Sequence, residues 1–183
     1  MSQMHLIVGG TDYIRSHTNK ALFQSNFQTL VYDNLISGHR YAVKWGNFVL
    51  NEDDFNNIAQ RKLVFSNINP INPSGRSKLM LDHLLGDYCH AYGLTYVSLR
   101  YFNAVVADSS CAIDENHNPE THLIPLVLGI QDSMRIFGND YDTSDGTAIR
   151  DYLYGIDIAN AHVLALKYLL HSGAWEWHKC KIN

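Results

Sequence analysis

Short apolar runs alternate with stretches of helical period along this chain, and that alternation leaves few architectures open. His5 to Gly10 reads as a buried strand stopped by two glycines, and Ile14 to Gln24 reads as the helix that follows it. Phe27 to Asp33 reads as a second strand with an acid at its end, Tyr41 to Trp45 as a third, and Glu52 to Gln60 as a helix. Lys62 to Ser66 and Thr95 to Arg100 are further short strands. Between them Gly75 to Ala91 predicts a helix that lines up Leu81, Leu84, Leu85, Tyr88 and Tyr92 on one face, with Gly93 as its stop. Thr121 to Gln131, interrupted by Pro125, and Ile158 to Leu169 complete the helices. Strands alternating with helices predict an α/β fold, a Rossmann-like parallel sheet with helices on both faces. Such sheets hold ligands at the carboxyl ends of their strands. The loops after Val8, Val31, Phe65 and Leu99 are therefore where chemistry is expected.

Composition removes several classes of function. A length of 183 residues allows one domain or one and a half, and a net charge of -4 leaves no electrostatic footprint for nucleic acid. The longest apolar stretches, such as Leu6 to Val8 and Leu123 to Leu128, are too short to span a bilayer, so no membrane partner is expected. Met1 to His5 carries no basic segment or signal-like apolar segment, and a cytoplasmic location is the expectation. Cys89, Cys111 and Cys180 match no zinc spacing and read as free thiols. His83 and His90 share a helix face without a third ligand, so no metal is expected.

The first strand ends in Gly9-Gly10-Thr11-Asp12-Tyr13-Ile14-Arg15. A dinucleotide-binding turn of the extended type has glycine at the first, fourth and seventh of these positions. Gly9 holds the first, but Asp12 and Arg15 replace the other two. The middle glycine lets backbone approach a pyrophosphate, and the last allows tight helix-on-strand packing. Asp12 brings a negative charge toward an anionic ligand, and Arg15 brings bulk whose charge partly compensates. Asp33, at the end of the second strand, is the acid that would hold an adenosine ribose hydroxyl in such a turn. A plain strand-turn-helix explains the same loop without a cofactor.

Several segments together resemble UDP-glucose 4-epimerases. They are Gly9 to Thr18, Tyr32-Asp33-Asn34-Leu35, Pro73 to Met80, Leu99 to Ala104 with its Arg-Tyr-Phe-Asn, His117 to Pro125, and Ile136 to Tyr152. They also occur in that family's order. The resemblance implies an isomerase of galactose metabolism that interconverts UDP-glucose and UDP-galactose through an NAD-bound 4-keto intermediate. In such enzymes a tyrosine of a Y-x-x-x-K motif takes the 4-hydroxyl proton and the lysine binds the nicotinamide ribose. It further implies NAD contacts at Gly9, Tyr13, Ile14, Asp33, Asn34, Asn47 and Lys78, with Asn47 standing where the family has an adenine-contacting acid. UDP-hexose contacts carry over to Asn103, His122, Leu123, Phe137 and Arg150, whose guanidinium suits a phosphate. Residues 1–103 correspond to a shortened NAD-binding region and 104–183 to part of the UDP-sugar-binding region, the two being interleaved in the family.

The departures from the family are as specific as the matches. Lys78 matches the motif lysine, but Ser74 stands at the tyrosine position, and a hydroxyl is both shorter and far less acidic than a phenol of pKa about 10. A substitute base would have to come from another phenol, such as Tyr13 or Tyr101. Ser66 is all that remains of the serine-rich strand end. A strand, a cofactor loop and a helix are missing between Asn57 and Arg61, which removes the fourth strand of a 3-2-1-4-5-6 sheet. The first and fifth strands must then pair directly, or an edge stays open. The family's last substrate-domain segment has no counterpart before Asn183. These losses predict weak NAD binding and doubtful turnover. They leave as the alternative an inactive nucleotide-sugar-binding pseudoenzyme or a non-functional remnant. A dimer through the Gly75–Ala91 helix is possible, but the helix that would partner it lies in the missing block.

Overall fold

The computed structural model describes residues 4–33, 35, 38–49, 63–64, 73–105, 108, 110, 112–113, 122–129, 136 and 138–171. Its leading unit is a three-stranded parallel sheet in the order β1-β2-β3, formed by β1 (Met4–Val8), β2 (Gln28–Tyr32) and β3 (Asn47–Val49). Leu6 pairs with Leu30, Ile7 with Val31 and Val8 with Tyr32, so the two apolar runs lie in register. The helix α1 (Tyr13–Gln24) crosses from β1 to β2. Its exit is a tight turn in which Asn26 adopts φ 64 and the Phe27 N–H returns to the Leu22 carbonyl at 3.1 Å.

The third strand lies later than the sequence predicts. Residues 40–42 form a 3-10 turn, Gly46 turns the chain with φ +73, and only then do Asn47–Val49 pair with Leu30–Tyr32. Tyr41 stays exposed, stacked on His39, while Arg40 lies over the Phe48 ring at 4.2 Å.

The other strands form two separate pairs. β4 (Leu63–Val64) pairs in parallel with β5 (Val97–Ser98), as the fifth and sixth family strands would. β6 (Asn103–Val105) pairs in parallel with β7 (Tyr152–Tyr154), neither of which the sequence announces. Among the described residues β1 pairs only with β2. Direct pairing of β1 with β4, one of the two outcomes expected from losing a fourth strand, does not occur among the described residues.

The last helix, α4 (Gly155–His171), bridges the divided sheet. Val163 and Leu166 enter a core with Ile7, Leu22 and Val31, while Ala165 meets Val97 and Leu99 in a second core. One amphipathic helix thus presents adjacent rows of side chains to two strand systems. The helix α2 (Pro73–Tyr92) ends where Gly93 donates to the Cys89 carbonyl at 3.0 Å. Of its predicted apolar face only Leu85 is buried; Leu81, Leu84, Tyr88 and Tyr92 are exposed. The helix α3 (Leu123–Leu128) starts late enough for Pro125 to sit in its first turn, where its missing N–H costs no hydrogen bond. No helix among the described residues is long and apolar enough to cross a membrane. The expected helix at Glu52 to Gln60 and the tail from Ser172 lie outside the described residues.

Candidate functional site

The loop between β1 and α1 is held by hydrogen bonds from its own residues and from the end of β2. Gly9 takes φ +72 and donates its N–H to the Tyr32 carbonyl at 2.7 Å, which ties the loop to the end of β2. Asp12 caps α1: its Oδ1 accepts the Arg15 N–H at 3.0 Å. Its Oδ2 meets Arg15 Nη1 at 2.8 Å. The Arg15 guanidinium lies back across the loop, so that a Cβ added to Gly9 would fall 2.1 Å from Nη1. The two residues that replace glycine are thus partners of each other. Tyr13 and Ile14 open the helix; Tyr13 is buried and meets His17 edge-on, with ring centroids 5.2 Å apart.

Asp33 lies just past β2 and is buried, as a ribose-binding acid should be. Its Oδ2 accepts the Thr11 N–H at 2.9 Å and its Oδ1 accepts the Leu35 N–H at 2.8 Å. A carboxylate has about four acceptor positions, so both oxygens keep capacity for a ligand hydroxyl. Asn47 is placed differently from expectation. It opens β3 opposite Leu30, whereas the carboxyl edge lies at Val49, beside Tyr32. That leaves Asn47 two strand residues, roughly 7 Å, behind the edge where ligands bind. The sequence places Gly46-Asn47 after a strand at Tyr41 to Trp45, whereas in the structure this pair leads into the strand. The residues that follow Val49 lie outside the described residues, as do Asn34 and Ser66.

Ser74 and Lys78 fall in the first two turns of α2, four residues apart and therefore on one helix face. Lys78 is exposed, and the Ser74 side chain lies outside what the structure describes.

Of the residues expected to contact a UDP-hexose, two lie in segments far apart in sequence that come together. Asn103 opens β6, and Tyr152, its register partner, opens β7. The Asp151 carbonyl accepts both the Asn103 backbone N–H at 3.3 Å and its carboxamide Nδ2 at 3.0 Å. Arg150, next in the chain, is exposed at the same end of this pair. His122 precedes the first residue of α3, Leu123, and both are exposed. Phe137 lies outside the described residues.

Tyr101 joins the two halves. It sits two residues before Asn103, its ring lies edge-on to His162 of α4 at 6.3 Å, and its phenol feels the charges of Arg15 and Asp12. Burial raises its pKa well above the ordinary tyrosine value, with Arg15 opposing and Asp12 adding to the rise. That makes Tyr101 a poorer proton acceptor than an ordinary phenol. His162 is also buried; desolvation lowers its pKa, partly offset by its hydrogen bond to the Ile158 carbonyl at 2.7 Å. Sequence reasoning did not single out His162, whose only signal is its place within the apolar period of α4. A second link is ionic. Lys20 of α1 reaches Asp108, just past β6, at 2.5 Å, and the carboxylate also accepts from Ser110 and from the Ala112 N–H. No group of three or more metal-ligating side chains occurs among the described residues.

Comparison with known proteins fits this geometry. Residues 53–175 match the model of the NAD dependent epimerase/dehydratase family. A UDP-glucose 4-epimerase of Rhizobium meliloti is 35% identical over 242 residues, covering 92% of this chain and 73% of the relative. Because 92% of 183 residues is about 168, about 74 of those matched positions have no counterpart here. A UDP-glucose 4-epimerase of Streptococcus mutans is 49% identical over 104 residues, which take in 55% of this chain and 31% of the relative. The crystal structure of UDP-glucose 4-epimerase from Brucella ovis in complex with NAD superposes with a TM-score of 0.82 at 34% identity, over 94% of this chain and 75% of that one.

Proposed function

The chain belongs to the NAD dependent epimerase/dehydratase family, among its UDP-glucose 4-epimerases, and from that premise we propose that it binds a UDP-hexose without efficient epimerisation. The observation that carries the binding half is the double hydrogen bond from Asn103 to the Asp151 carbonyl. It holds the start of β6 against the start of β7 and fixes the backbone that presents Arg150. A guanidinium on a fixed backbone suits a diphosphate, because its planar fork can engage two oxygens at once. His122 and Leu123 are the further candidates for contact with the nucleotide.

The catalytic half rests on the side chain at the base position and on the cofactor loop. Ser74 offers no phenol beside Lys78, and burial shifts Tyr101 away from acting as a base. A missing general base removes about a hundredfold to ten-thousandfold of rate. The family's cofactor, NAD, supplies the hydride chemistry when bound, and Asp33 suits its adenosine ribose. The β1–α1 loop does not fit its pyrophosphate: the Asp12 carboxylate already accepts from the helix N-terminus, and the Arg15 guanidinium lies over Gly9.

Titration calorimetry with UDP-glucose tests the reading. Heat of binding that falls about tenfold in affinity for Arg150→Ala, with no UDP-galactose formed by either protein, is the expected result. Silence at millimolar UDP-glucose would sink the binding half, and turnover by the unaltered chain would sink the catalytic half.

A further inference from the structure

The Asp12 carboxylate caps the N-terminus of α1, the end of the helix at which a dinucleotide-binding turn receives a phosphate. Such a turn binds an anion through the N–H groups that open the helix and through the close backbone approach allowed by its glycines. Here one Asp12 oxygen accepts the Arg15 N–H at 3.0 Å, within the first turn of α1. Its other oxygen takes the Arg15 guanidinium at 2.8 Å, and that guanidinium covers Gly9. One N–H of the first turn and the Arg15 guanidinium, two donors that could meet a phosphate, are thus taken by Asp12. The rest of the cradle is retained: Gly9 keeps the positive φ of the tight turn, and Gly10 is packed so closely on β2 that an added Cβ would lie 2.6 Å from the Val31 side chain. The Asp33 carboxylate remains buried at the ribose position. The Thr11 hydroxyl, in the same loop, is buried without a hydrogen-bond partner among the described residues.

We infer that Asp12 is an internal anion which, clamped by Arg15, occupies the pyrophosphate cradle and sets a low affinity for dinucleotides that removal of its charge reverses. The inference rests on the reading of this loop as the family's cofactor turn, and it is independent of whether UDP-hexose binds. An incoming pyrophosphate must displace the Asp12 carboxylate from the helix N–H and from the guanidinium, and then remain beside that negative charge. Glycine at position 12 restores the space and deletes the charge. Asparagine keeps a capping oxygen and deletes only the charge. Arg15, released from Asp12, becomes a cation available to the phosphates. Arg15→Ala uncovers Gly9 but leaves Asp12 uncompensated, and so weakens dinucleotide binding instead of improving it.

The test is calorimetric titration of NAD and, separately, of adenosine into the unaltered chain, Asp12→Gly and Asp12→Asn. NAD affinity should rise roughly tenfold or more in Asp12→Gly and by a smaller factor in Asp12→Asn, while adenosine, which carries no phosphate, should bind all three alike. Circular dichroism establishes that each variant is folded, and Asp12→Asn decides the matter if Asp12→Gly is not. Equal NAD affinity in all three proteins, or no NAD binding by any of them, would overturn the inference. A parallel UDP-glucose titration separates the two readings: heat with UDP-glucose but no gain for NAD removes this inference alone.

Discussion

Asn103 donates twice to the carbonyl of Asp151, through its backbone N–H at 3.3 Å and its carboxamide at 3.0 Å. The backbone bond belongs to the β6–β7 ladder and survives any substitution but proline. The carboxamide bond depends on the side chain. Asn103→Ala should therefore lower stability modestly, by about 1 kcal/mol for one partly solvated hydrogen bond, and should also weaken UDP-glucose binding because one of the two bonds that hold the backbone beside Arg150 is lost. Arg150→Ala should weaken binding without changing stability, since Arg150 is exposed. Thermal unfolding and calorimetry on both variants read the two effects. Equal loss of stability in both would mean that Arg150 is part of the structural clasp.

The Lys20–Asp108 pair ties α1 to the segment that follows β6, and it predicts a pH dependence. Burial alone would raise the Asp108 carboxyl, but hydrogen bonds from Lys20, Ser110 and Ala112, with the charge of Lys20, outweigh it and hold the pKa at about 2. An unfolded aspartate titrates near 3.9, roughly two units higher. As pH falls, the unfolded chain therefore takes up its proton first. The stabilisation is complete above about pH 5 and disappears as pH drops through 4 toward 2. Urea unfolding midpoints measured across that window should fall steeply for the unaltered chain. In Lys20→Met the midpoint at neutral pH should drop by the equivalent of about 3 kcal/mol, because a buried carboxylate loses its cation, and the acid slope should flatten. Parallel slopes in the two proteins would show that other carboxylates govern acid unfolding.

A helix that bridges two strand systems should couple them. Leu166 is 5% exposed in the core with Ile7 and Val31, while Leu164, two residues earlier on α4, is 66% exposed. Leu166→Ala should cost about 2–5 kcal/mol, and Leu164→Ala less than about 0.5 kcal/mol. Because Ala165 on the same turn meets Val97 and Leu99, the loss should appear in one cooperative transition for the whole molecule. Two separated transitions in Leu166→Ala would mean that the β1–β3 sheet and the β4–β5 pair unfold independently.

What the sequence made legible follows from how local each cause is. α2 and α4 were found within a few residues because their periods are strong and because Gly93 is a local stop. β1 and β2 were visible as apolar runs with turn residues behind them. β6 and β7 were not, because strands of three residues have no readable period and exist only through a partner some fifty positions away. β3 was displaced because Tyr41 and Val43 look strand-forming, while the pairing with β2 selects Asn47–Val49 after the turn at Gly46. That shift also moved Asn47 away from the ligand edge. α1 hid its buried face, because it buries Ser16, His17, Thr18 and Asn19 in place of an apolar stripe. Ser16 and Thr18 satisfy themselves on the carbonyls of Tyr13 and Ile14, a solution that no hydrophobic pattern reveals. In the loop, sequence identified both departures from glycine, but only the structure shows that Asp12 and Arg15 bind each other.

The same loop decides what restoring the base would achieve. Ser74 precedes Lys78 by one helical turn, so Ser74→Tyr places a phenol on the face that the family uses. A proton acceptor promotes epimerisation only if a hydride acceptor is bound beside the sugar, and Asp12 stands against the pyrophosphate of that cofactor. Ser74→Tyr alone should therefore yield no measurable UDP-galactose from UDP-glucose with added NAD. Ser74→Tyr combined with Asp12→Gly is the smallest change that supplies both a base and an open cradle, and any recovered turnover should appear first there. Chromatographic separation of the two UDP-hexoses after long incubation gives the readout. Turnover by Ser74→Tyr without the second change would mean that the loop admits NAD as it stands and that the base was the only defect. Inactivity of the double variant, together with tight NAD binding, would place the remaining defect among the roughly 74 matched positions of the Rhizobium meliloti enzyme that have no counterpart here.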